Sequence, residues 1–442
     1  MVIHKSAPRN ANQLIAVIDL PVFMYLYVKH NQFLKTMHYE DNIILACLVL
    51  ILVIESINFL KGKSLIQLIK RYPQSESTVV ENYGTLINML IDFCMFHNND
   101  EIAKQFNYGE PKTIKSESLK KPNIIIIQME SVDSNSVNLT HDGSYVMPFL
   151  HSLTDKSIYY PYMMNYHKAG GTSDAEFSIM NSVEPLSNFP SIKLPSYEHK
   201  NSFVRVLSQN SYSTSIFHGN HASYYKRDYA FSSMGFDKFY DMEDMNLKDA
   251  GWGAPDHEVF NFVLEKMKNQ SGPFFYYIIT MSNHCKFLNV LNYYHNASFD
   301  GITNKNMRNF YNSLSYVDIT IQAFVEEALA IDKETYIIIL GDHTPGLKDK
   351  IYKQASIRME NRHLEFVPLF IISPEGTIYK ENEKVVSFLD IAPTVLGFAN
   401  ICSQYSTYGE SIIPPLNADG KIPYRGYLFD RRQLYNAVGK PL

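Results

Sequence analysis

The sequence predicts an α/β fold in which helices sandwich a mostly parallel sheet. From Lys121 onward, strand-like runs alternate with helical patterns, and these runs lie near residues 123–129, 213–217, 274–280, 335–340 and 367–372. The first run, Asn-Ile-Ile-Ile-Ile-Gln-Met, is rich in β-branched residues and apolar on both faces, as expected of a parallel strand buried on both sides. The alternation indicates a sheet covered by helices on both faces.

A long helix is predicted just before the fourth strand, from Asn304 to Leu329. Apolar residues recur in it at helical spacing, as at Leu314, Val317 and Ile321. We interpret these residues as core contacts of the α/β domain.

The N-terminal region contains two apolar segments. The stronger one, Ile43 to Leu60, is about long enough to cross a bilayer core, which needs roughly 20 residues. The weaker one, Leu14 to Val28, includes Asp19 and Pro21 and fits a second span or an interfacial helix about equally well. We therefore predict a membrane anchor of one or two transmembrane helices over residues 1–62, a juxtamembrane connector over 63–121 and a catalytic domain over 122–442.

Composition excludes some classes of partner. The formal charge of −5 and the pI near 6.3 give no reason to expect nucleic-acid binding. The four cysteines show neither metal-ligand spacing nor a recognisable disulfide framework.

The segment Gly170-Gly171-Thr172-Ser173-Asp174 has the composition of a nucleophile turn. Two glycines allow a sharp turn and a close approach to a ligand. The residues after them suit the first turn of a helix, whose positive end favours anions such as phosphate. By itself this pattern is also typical of an ordinary loop with a helix cap.

Two predicted strands end in potential metal ligands. Glu130 follows the first strand, and Asp342 and His343 follow the strand near 335–340. Polar groups at the carboxyl ends of parallel strands commonly form active sites. Carboxylates, an imidazole and a hydroxyl suit Mn²⁺, Mg²⁺ or Zn²⁺, and such an ion would lower the pKa of the Thr172 hydroxyl.

These motifs occur in an order that resembles a known family. The ordered matches are Asn123–Ser131, Met147–Leu150, Gly171–Phe177, Phe217–Asn220, Lys226–Asp228, Gly235–Phe239, Ser282–His284 and Gly341–His343. Together they resemble the lipoteichoic acid synthase and phosphoglycerol transferase group, membrane-anchored members of the sulfatase-like branch of the alkaline phosphatase superfamily. The resemblance extends from Pro122 to Tyr408. It implies a sulfatase-like fold behind an N-terminal transmembrane region.

The resemblance also implies roles for individual residues. Glu130, Thr172, Asp342 and His343 match the ligands of a single metal ion, usually Mn²⁺, and Thr172 matches the nucleophile. The residues that match the head-group and phosphate pocket are His218, Asn220, Tyr225, Arg227 and His284. Two alternatives stay open here: His218 and His284 also fit core histidines, and Arg227 also fits an ion pair with Asp228.

From this resemblance we expect a transferase that moves phosphoglycerol from phosphatidylglycerol to a polymer, glycolipid or glycan. The expected location is the cell membrane, with the catalytic domain outside the cytoplasm, although the cations at Lys61, Lys63, Lys70 and Arg71 favour a cytoplasmic flank. The alternatives are a phosphoethanolamine transferase or phosphodiesterase of the same fold, and an inactive membrane-anchored binding protein.

Overall fold

The coordinates are those of a computed structural model. It describes residues 39–435 apart from 70–75, 96–103, 105, 115–119, 188, 195–196, 349, 360–361, 382–383, 415–421, 425–426 and 431–433. The chain divides into two compact units, residues 1–102 and 103–442. The predicted apolar segment Leu14 to Val28 lies outside the described residues.

The helices of the described chain are α1 Tyr39–Leu60, α2 Leu65–Ile69, α3 Glu76–Met95, α4 Pro148–Leu153, α5 Thr172–Asn181, α6 Phe203–Gln209, α7 Arg227–Met234, α8 Asp256–Lys268, α9 Lys305–Ile331 and α10 Ile391–Phe398. The strands are β1 Pro111–Ile114, β2 Ile124–Met129, β3 Thr140–His141, β4 Ser144–Tyr145, β5 Ile158–Met164, β6 Ser213–His218, β7 Lys238–Tyr240, β8 Phe274–Ile279, β9 Tyr336–Gly341, β10 Ser356–Met359, β11 Arg362–Ile372, β12 Tyr379–Lys380, β13 Val386–Ser387, β14 Ser403–Ser406, β15 Ile422–Tyr424, β16 Tyr427–Phe429 and β17 Leu434–Tyr435. All five predicted strands and the predicted long helix are present.

In the first unit, α2 and α3 enclose a small apolar cluster of Leu68, Val79, Tyr83 and Ile91. Helix α1 covers the predicted segment Ile43 to Leu60, and its described side chains include exposed apolar ones such as Leu52 and Phe59. Over the residues that the structure describes, no helix combines the length and the apolar character needed to cross a membrane.

The second unit is built around one large mixed sheet. Its strand order is β12-β5-β11-β9-β2-β8-β6-β7, with β10 paired to β11 and β13 to β5. Strands β9, β2, β8, β6 and β7 are parallel neighbours, whereas β11 runs antiparallel to both β9 and β5. Every residue of β2, β8 and β9 is buried, as expected for strands covered on both faces. The α/β architecture is confirmed, and the sheet is mixed, with parallel pairing from β9 to β7 and antiparallel pairing at β11.

Strand β5 was not predicted, because Pro161 interrupts its apolar run. The structure accommodates this proline at an irregularity in the pairing with β11, between Val367 and Leu369. Bulges of this kind are where a sheet tolerates a missing backbone donor.

The register of β2 against β9 brings two predicted ligands together. Met129 pairs with Gly341, so that Glu130 and Asp342 follow at the same edge of the sheet. The Ser131 amide donates a hydrogen bond of 2.7 Å to Asp342 Oδ1, and the Asp342 amide donates one of 3.2 Å to the Met129 carbonyl. The two strand ends are therefore cross-linked by hydrogen bonds where the site begins.

Gly341 is required for this close approach. A Cβ atom at residue 341 would overlap with the carbonyl oxygen of Val132, which is backbone and cannot rotate away. We expect Gly341→Ala to lower the free energy of unfolding by about 3 kcal/mol or more, because the Ser131–Val132 turn must shift. Urea denaturation measures this, with Gly301→Ala as control, since a Cβ at Gly301 meets nothing within 4 Å. Equal stability of the two variants would contradict the expectation.

Candidate active site

Thr172 is the first residue of α5, and the turn before it is held by a buried carboxylate. Asp174 Oδ2 accepts hydrogen bonds from the amides of Lys168 (2.7 Å) and Gly170 (2.9 Å). Gly171 adopts a φ of 59°, which favours glycine, and a Cβ on Gly170 would overlap with the Asp174 and Ser173 side chains. The two glycines and Asp174 thus set the position of the Thr172 hydroxyl.

The four predicted metal ligands converge. Thr172 Oγ1 donates a hydrogen bond of 2.8 Å to Glu130 Oε2 and lies 3.4 Å from His343 Nε2. His343 Nε2 is 3.5 Å from Glu130 Oε1 and 3.7 Å from Asp342 Oδ2. One ligand atom each from Glu130, Asp342 and His343 can be chosen so that all lie within 4.8 Å of one another.

The orientation of these groups fits a divalent cation. Asp342 Oδ1 accepts from two backbone amides, while its Oδ2 is buried without a hydrogen-bond partner and faces the cluster. His343 Nδ1 lies 2.9 Å from the Thr344 carbonyl oxygen, so that Nδ1 carries the hydrogen and Nε2 is left as a ligand. A buried carboxylate oxygen with no partner is costly unless a cation neutralises it.

The electrostatics of the cluster follow from burial and close opposite charges. Burial raises the pKa of Asp342 to about 8. Burial opposes protonation of His343, but the carboxylates of Asp342 and Glu130 outweigh it and raise the pKa of His343. Burial likewise opposes ionisation of Glu130, yet the neighbouring histidines His343 and His284 hold its pKa below the ordinary value. Without a cation, the cluster therefore retains a proton to balance its charge.

An open cavity of about 270 Å³ lies over this cluster. Its lining includes three of the four predicted metal ligands, Asp342 being the buried exception. The five residues predicted for the substrate pocket, His218, Asn220, Tyr225, Arg227 and His284, also line it. The structure thus places the nine predicted residues at one location, although they come from well-separated parts of the chain.

The two pocket histidines differ in environment. His218 is buried, with Nδ1 3.2 Å from the Ile279 carbonyl oxygen, and burial next to the Arg227 charge lowers its pKa to about 3. His218 is therefore neutral, with Nδ1 as donor and Nε2 as acceptor. His284 is half-buried, with Nδ1 2.8 Å from the Cys285 carbonyl oxygen. His284 lies on the cavity wall and is therefore not a core histidine.

Arg227 pairs with Glu176 rather than with Asp228. Its Nε donates to Glu176 Oε2 at 2.9 Å and its Nη2 to Glu176 Oε1 at 2.6 Å, and both side chains are at least 96% buried, with relative exposures of 4% and 0%. Glu176 thus engages the Nε/Nη2 edge of the guanidinium, which leaves the Nη1 hydrogens and the second Nη2 hydrogen for a ligand. Glu176 lies one helical turn after Thr172 on α5. The helix that carries the nucleophile therefore also carries the carboxylate that holds the Arg227 guanidinium.

Several residues of the site were not predicted. Glu176 lies in the matched segment Gly171–Phe177, but the sequence does not show which cation its carboxylate contacts. His167 stacks on His343 with ring centroids 4.6 Å apart, and its Nδ1 lies 3.2 Å from Glu365 Oε2. Tyr224 and Trp252 also line the cavity. Trp252 is the only tryptophan of the chain, which is a signal that sequence reading could have used.

The metal-binding proposal makes a direct prediction for Asp342→Asn. The amide keeps an oxygen for the two backbone donors but removes the anionic atom that has no partner, so we expect affinity for Mn²⁺ to fall at least about 100-fold. For the unchanged protein, Mn²⁺ at a hundred times its Kd adds about 2.7 kcal/mol to stability, which appears as a higher melting temperature.

A matched control is Asp318→Asn. Asp318 is another buried carboxylate that accepts two backbone amides, from Phe149 and Leu150, at 2.9 Å each. This variant is expected to lose stability but to keep its response to Mn²⁺. An unchanged Mn²⁺ response in Asp342→Asn would contradict the proposed site.

Comparisons with known proteins agree with this fold. The chain is 25% identical over 321 residues to the lipoteichoic acid synthase-like protein YvgJ of Bacillus subtilis, covering 68% of this chain and 52% of that protein. It is 26% identical over 344 residues to lipoteichoic acid synthase 2 of the same organism, covering 72% and 51%. The chain therefore spans about half the length of the curated relatives it matches.

Solved structures show the same fold. The crystal structure of the lipoteichoic acid synthase LtaP from Listeria monocytogenes superposes with a TM-score of 0.64 at 22% identity, covering 78% of this chain and 92% of that one. An alkaline phosphatase superfamily protein from Vibrio parahaemolyticus superposes with a TM-score of 0.59 at 18% identity, covering 73% and 79%. The resemblance found in the motifs is confirmed, and since residues 122–401 match the sulfatase family, the chain belongs to that family.

Proposed function

We propose that the protein is a metal-dependent phosphoglycerol transferase, which moves the head group of phosphatidylglycerol to a hydroxyl of a polymer, glycolipid or glycan. The observation that carries the proposal is the position of Thr172. Its Oγ1 lies 2.8 Å from Glu130 and 3.4 Å from His343, at the floor of a cavity that Arg227, His218 and His284 also line. The lipoteichoic acid synthases among the relatives support the choice of substrate class.

In the proposed first half-reaction, Thr172 Oγ1 attacks the phosphorus atom of the lipid. Glu130 Oε2 accepts the hydroxyl proton, since the hydrogen bond between them already exists. A P–Oγ1 bond forms, the bond from phosphorus to the diacylglycerol oxygen breaks, and that oxygen takes up a proton. His284, on the open side of the cavity, is placed to supply this proton.

The second half-reaction reverses these events with a different alcohol. An acceptor hydroxyl attacks the phosphorus atom, the P–Oγ1 bond breaks, and Thr172 recovers its proton. Arg227 offers positive charge to the phosphate oxygens throughout, and neutral His218 offers an acceptor atom to a hydroxyl of the head group.

We assign a divalent ion, Mn²⁺ before Mg²⁺ or Zn²⁺, to Glu130, Thr172, Asp342 and His343. Such an ion lowers the pKa of a bound hydroxyl and offsets the negative charge that develops at the phosphate. The unpartnered Oδ2 of Asp342 supports this assignment.

The substrate implies a location. Because phosphatidylglycerol lies in a bilayer, we propose that the protein acts at the cell membrane, with residues 1–62 as anchor and the catalytic domain outside the cytoplasm. The exposed apolar side chains of α1, including Leu52, Phe59 and Leu60, support an apolar environment for this helix.

The test follows both products of the donor reaction. Membranes or vesicles that contain labelled phosphatidylglycerol are incubated with the protein and Mn²⁺, and diacylglycerol and glycerol phosphate are measured. We expect diacylglycerol release together with a protein adduct whose added mass equals glycerol phosphate less one water, located on Thr172 by peptide mass spectrometry. An adduct of ethanolamine phosphate would identify the other transferase, and absence of diacylglycerol release with every metal would refute the enzyme.

A further inference from the structure

The mouth of the cavity carries an exposed aromatic surface that the proposed chemistry does not use. It consists of Trp252 and Tyr224, which are 39% and 46% exposed although both line the cavity. Tryptophan and tyrosine are enriched among the residues that contribute most to binding. We refer to these two residues as the aromatic rim.

The loop that presents Trp252 is held in place. Asp249 Oδ1 accepts hydrogen bonds of 2.8 Å from the amides of both Gly251 and Gly253, on either side of the tryptophan. These glycines have φ values of 131° and 100°, which other residues rarely adopt. The side chain of Asn292 donates to the Ala250 carbonyl. The indole is therefore ordered before any ligand arrives, which lowers the entropic cost of binding to it.

The rings form a corner. The Trp252 indole stacks on the His284 imidazole, with centroids 5.2 Å apart and planes 28° apart, so that one face is covered. Tyr224 stands nearly perpendicular to Trp252, at 86° and 6.0 Å. His284 connects this corner to the catalytic floor, because the same imidazole lines the cavity.

We propose that the aromatic rim binds a pyranose ring of the acceptor, so that the acceptor substrate is a glycan or glycolipid. This inference rests on the proposed function and narrows its acceptor. The C–H face of a pyranose packs against an indole, and its hydroxyls need hydrogen-bonding groups close by. Asn220 on the cavity wall and the Tyr224 hydroxyl provide them.

The composition of the cavity favours a sugar over an acyl chain. In the described part of the chain, Met281 is the one aliphatic side chain among the lining residues, and the others are aromatic, polar, charged or small. Leu288 and Leu291 are exposed on the segment after His284 and could contact a lipid surface. The experiment must therefore distinguish binding of a sugar from binding of lipid.

The sugar at the rim places its hydroxyl for the second half-reaction. The hydroxyl oxygen attacks the phosphorus atom of the Thr172 adduct and passes its proton to His284, the P–Oγ1 bond breaks, and Thr172 Oγ1 takes back its proton from Glu130. The products are the sugar glycerol phosphate diester and the free enzyme, and no further reactant is needed.

Because Trp252 is the only tryptophan, its fluorescence reports the rim alone. The full chain in detergent is titrated with methyl β-glucopyranoside and methyl N-acetyl-β-glucosaminide, and separately, after removal of the detergent, with phosphatidylglycerol vesicles. We expect a saturable change with at least one sugar, on the order of millimolar Kd for a single ring. Tyr224→Ala should weaken it about tenfold, as loss of an aromatic contact does. The titration is repeated in Thr172→Ala, so that its outcome does not depend on catalysis.

The control is Tyr229→Ala. Tyr229 is 45% exposed on α7, like Tyr224 in exposure, but does not line the cavity. This variant should bind sugar like the unchanged protein. A response to vesicles but not to sugars would overturn the proposal in favour of a lipid contact, and no response to either would overturn it altogether.

A functional readout separates this inference from the proposed function. With labelled phosphatidylglycerol and the sugar, Trp252→Ala should lower the ratio of sugar product to hydrolysed glycerol phosphate about tenfold. An unchanged ratio would refute the acceptor site while leaving the donor reaction intact. Failure of diacylglycerol release in the unchanged protein would instead refute the proposed function. The fluorescence titration would still show whether the aromatic rim binds a sugar.

Discussion

Thr172→Ala is expected to stop diacylglycerol release from phosphatidylglycerol, with a loss of at least about 10⁴-fold. The reason is that Oγ1 is the atom that enters the covalent intermediate, and the adjacent residues offer no substitute: the Ser173 hydroxyl donates to the Gly170 carbonyl at 2.9 Å and is buried. Release of labelled diacylglycerol and the mass of the intact protein measure the effect.

Two controls test whether the loss of activity comes from the missing hydroxyl and not from unfolding. Thr172→Ser keeps a hydroxyl at the helix N-terminus and should retain part of the activity and the adduct. The melting temperature of Thr172→Ala should stay close to that of the unchanged protein, because Thr172 is only half-buried and its side chain bonds mainly to Glu130. Turnover of phosphatidylglycerol by the alanine variant would refute the covalent route.

The second large effect is expected for Glu176→Gln. Glu176 and Arg227 form an ion pair in which both side chains are almost fully buried. Removal of the carboxylate charge leaves the Arg227 guanidinium uncompensated, which costs about 3–5 kcal/mol in buried pairs. Urea denaturation measures the loss of stability, and diacylglycerol release should fall with it because Arg227 shifts.

Asp244→Asn provides the comparison for this pair. Asp244 contacts Lys238 at 3.0 Å, but both side chains are substantially exposed, at 39% and 47%. Exposed pairs contribute about 0–1 kcal/mol, so this variant should unfold almost like the unchanged protein. If both variants lost the same stability, the burial argument would be wrong.

The sequence was sufficient to predict the helices and strands that have a clear local pattern of apolar residues. Strands β2, β8 and β9 are mostly apolar, and α9 repeats its apolar residues at helical spacing, so both kinds of pattern were visible. Strand β5 was missed because Pro161 argues against a strand, and only its partner β11 explains how the proline is tolerated. Antiparallel pairing of β11 depends on long-range topology, which periodicity does not encode.

Some residues of the candidate site could be predicted from local motifs, whereas others required the fold. Glu130, Thr172, Asp342 and His343 could be proposed because they stand in recognisable motifs at strand and helix ends. The Arg227 partner was open until the fold placed Glu176 within 2.6 Å of it, 51 residues away along the chain. Trp252 lies in no motif, and its position above His284 is a tertiary contact. Residue type predicts the chemistry, whereas partner identity requires the fold.

The pairing of β2 with β9 has a consequence for folding. Glu130 and Asp342 occupy the same edge only when Met129 is opposite Gly341. A slip of one residue would turn every side chain of the shifted strand to the other face and separate the two carboxylates. A cation held by both would bind the correctly aligned sheet and not its misaligned competitors, so metal supply during folding would act as a check on strand alignment.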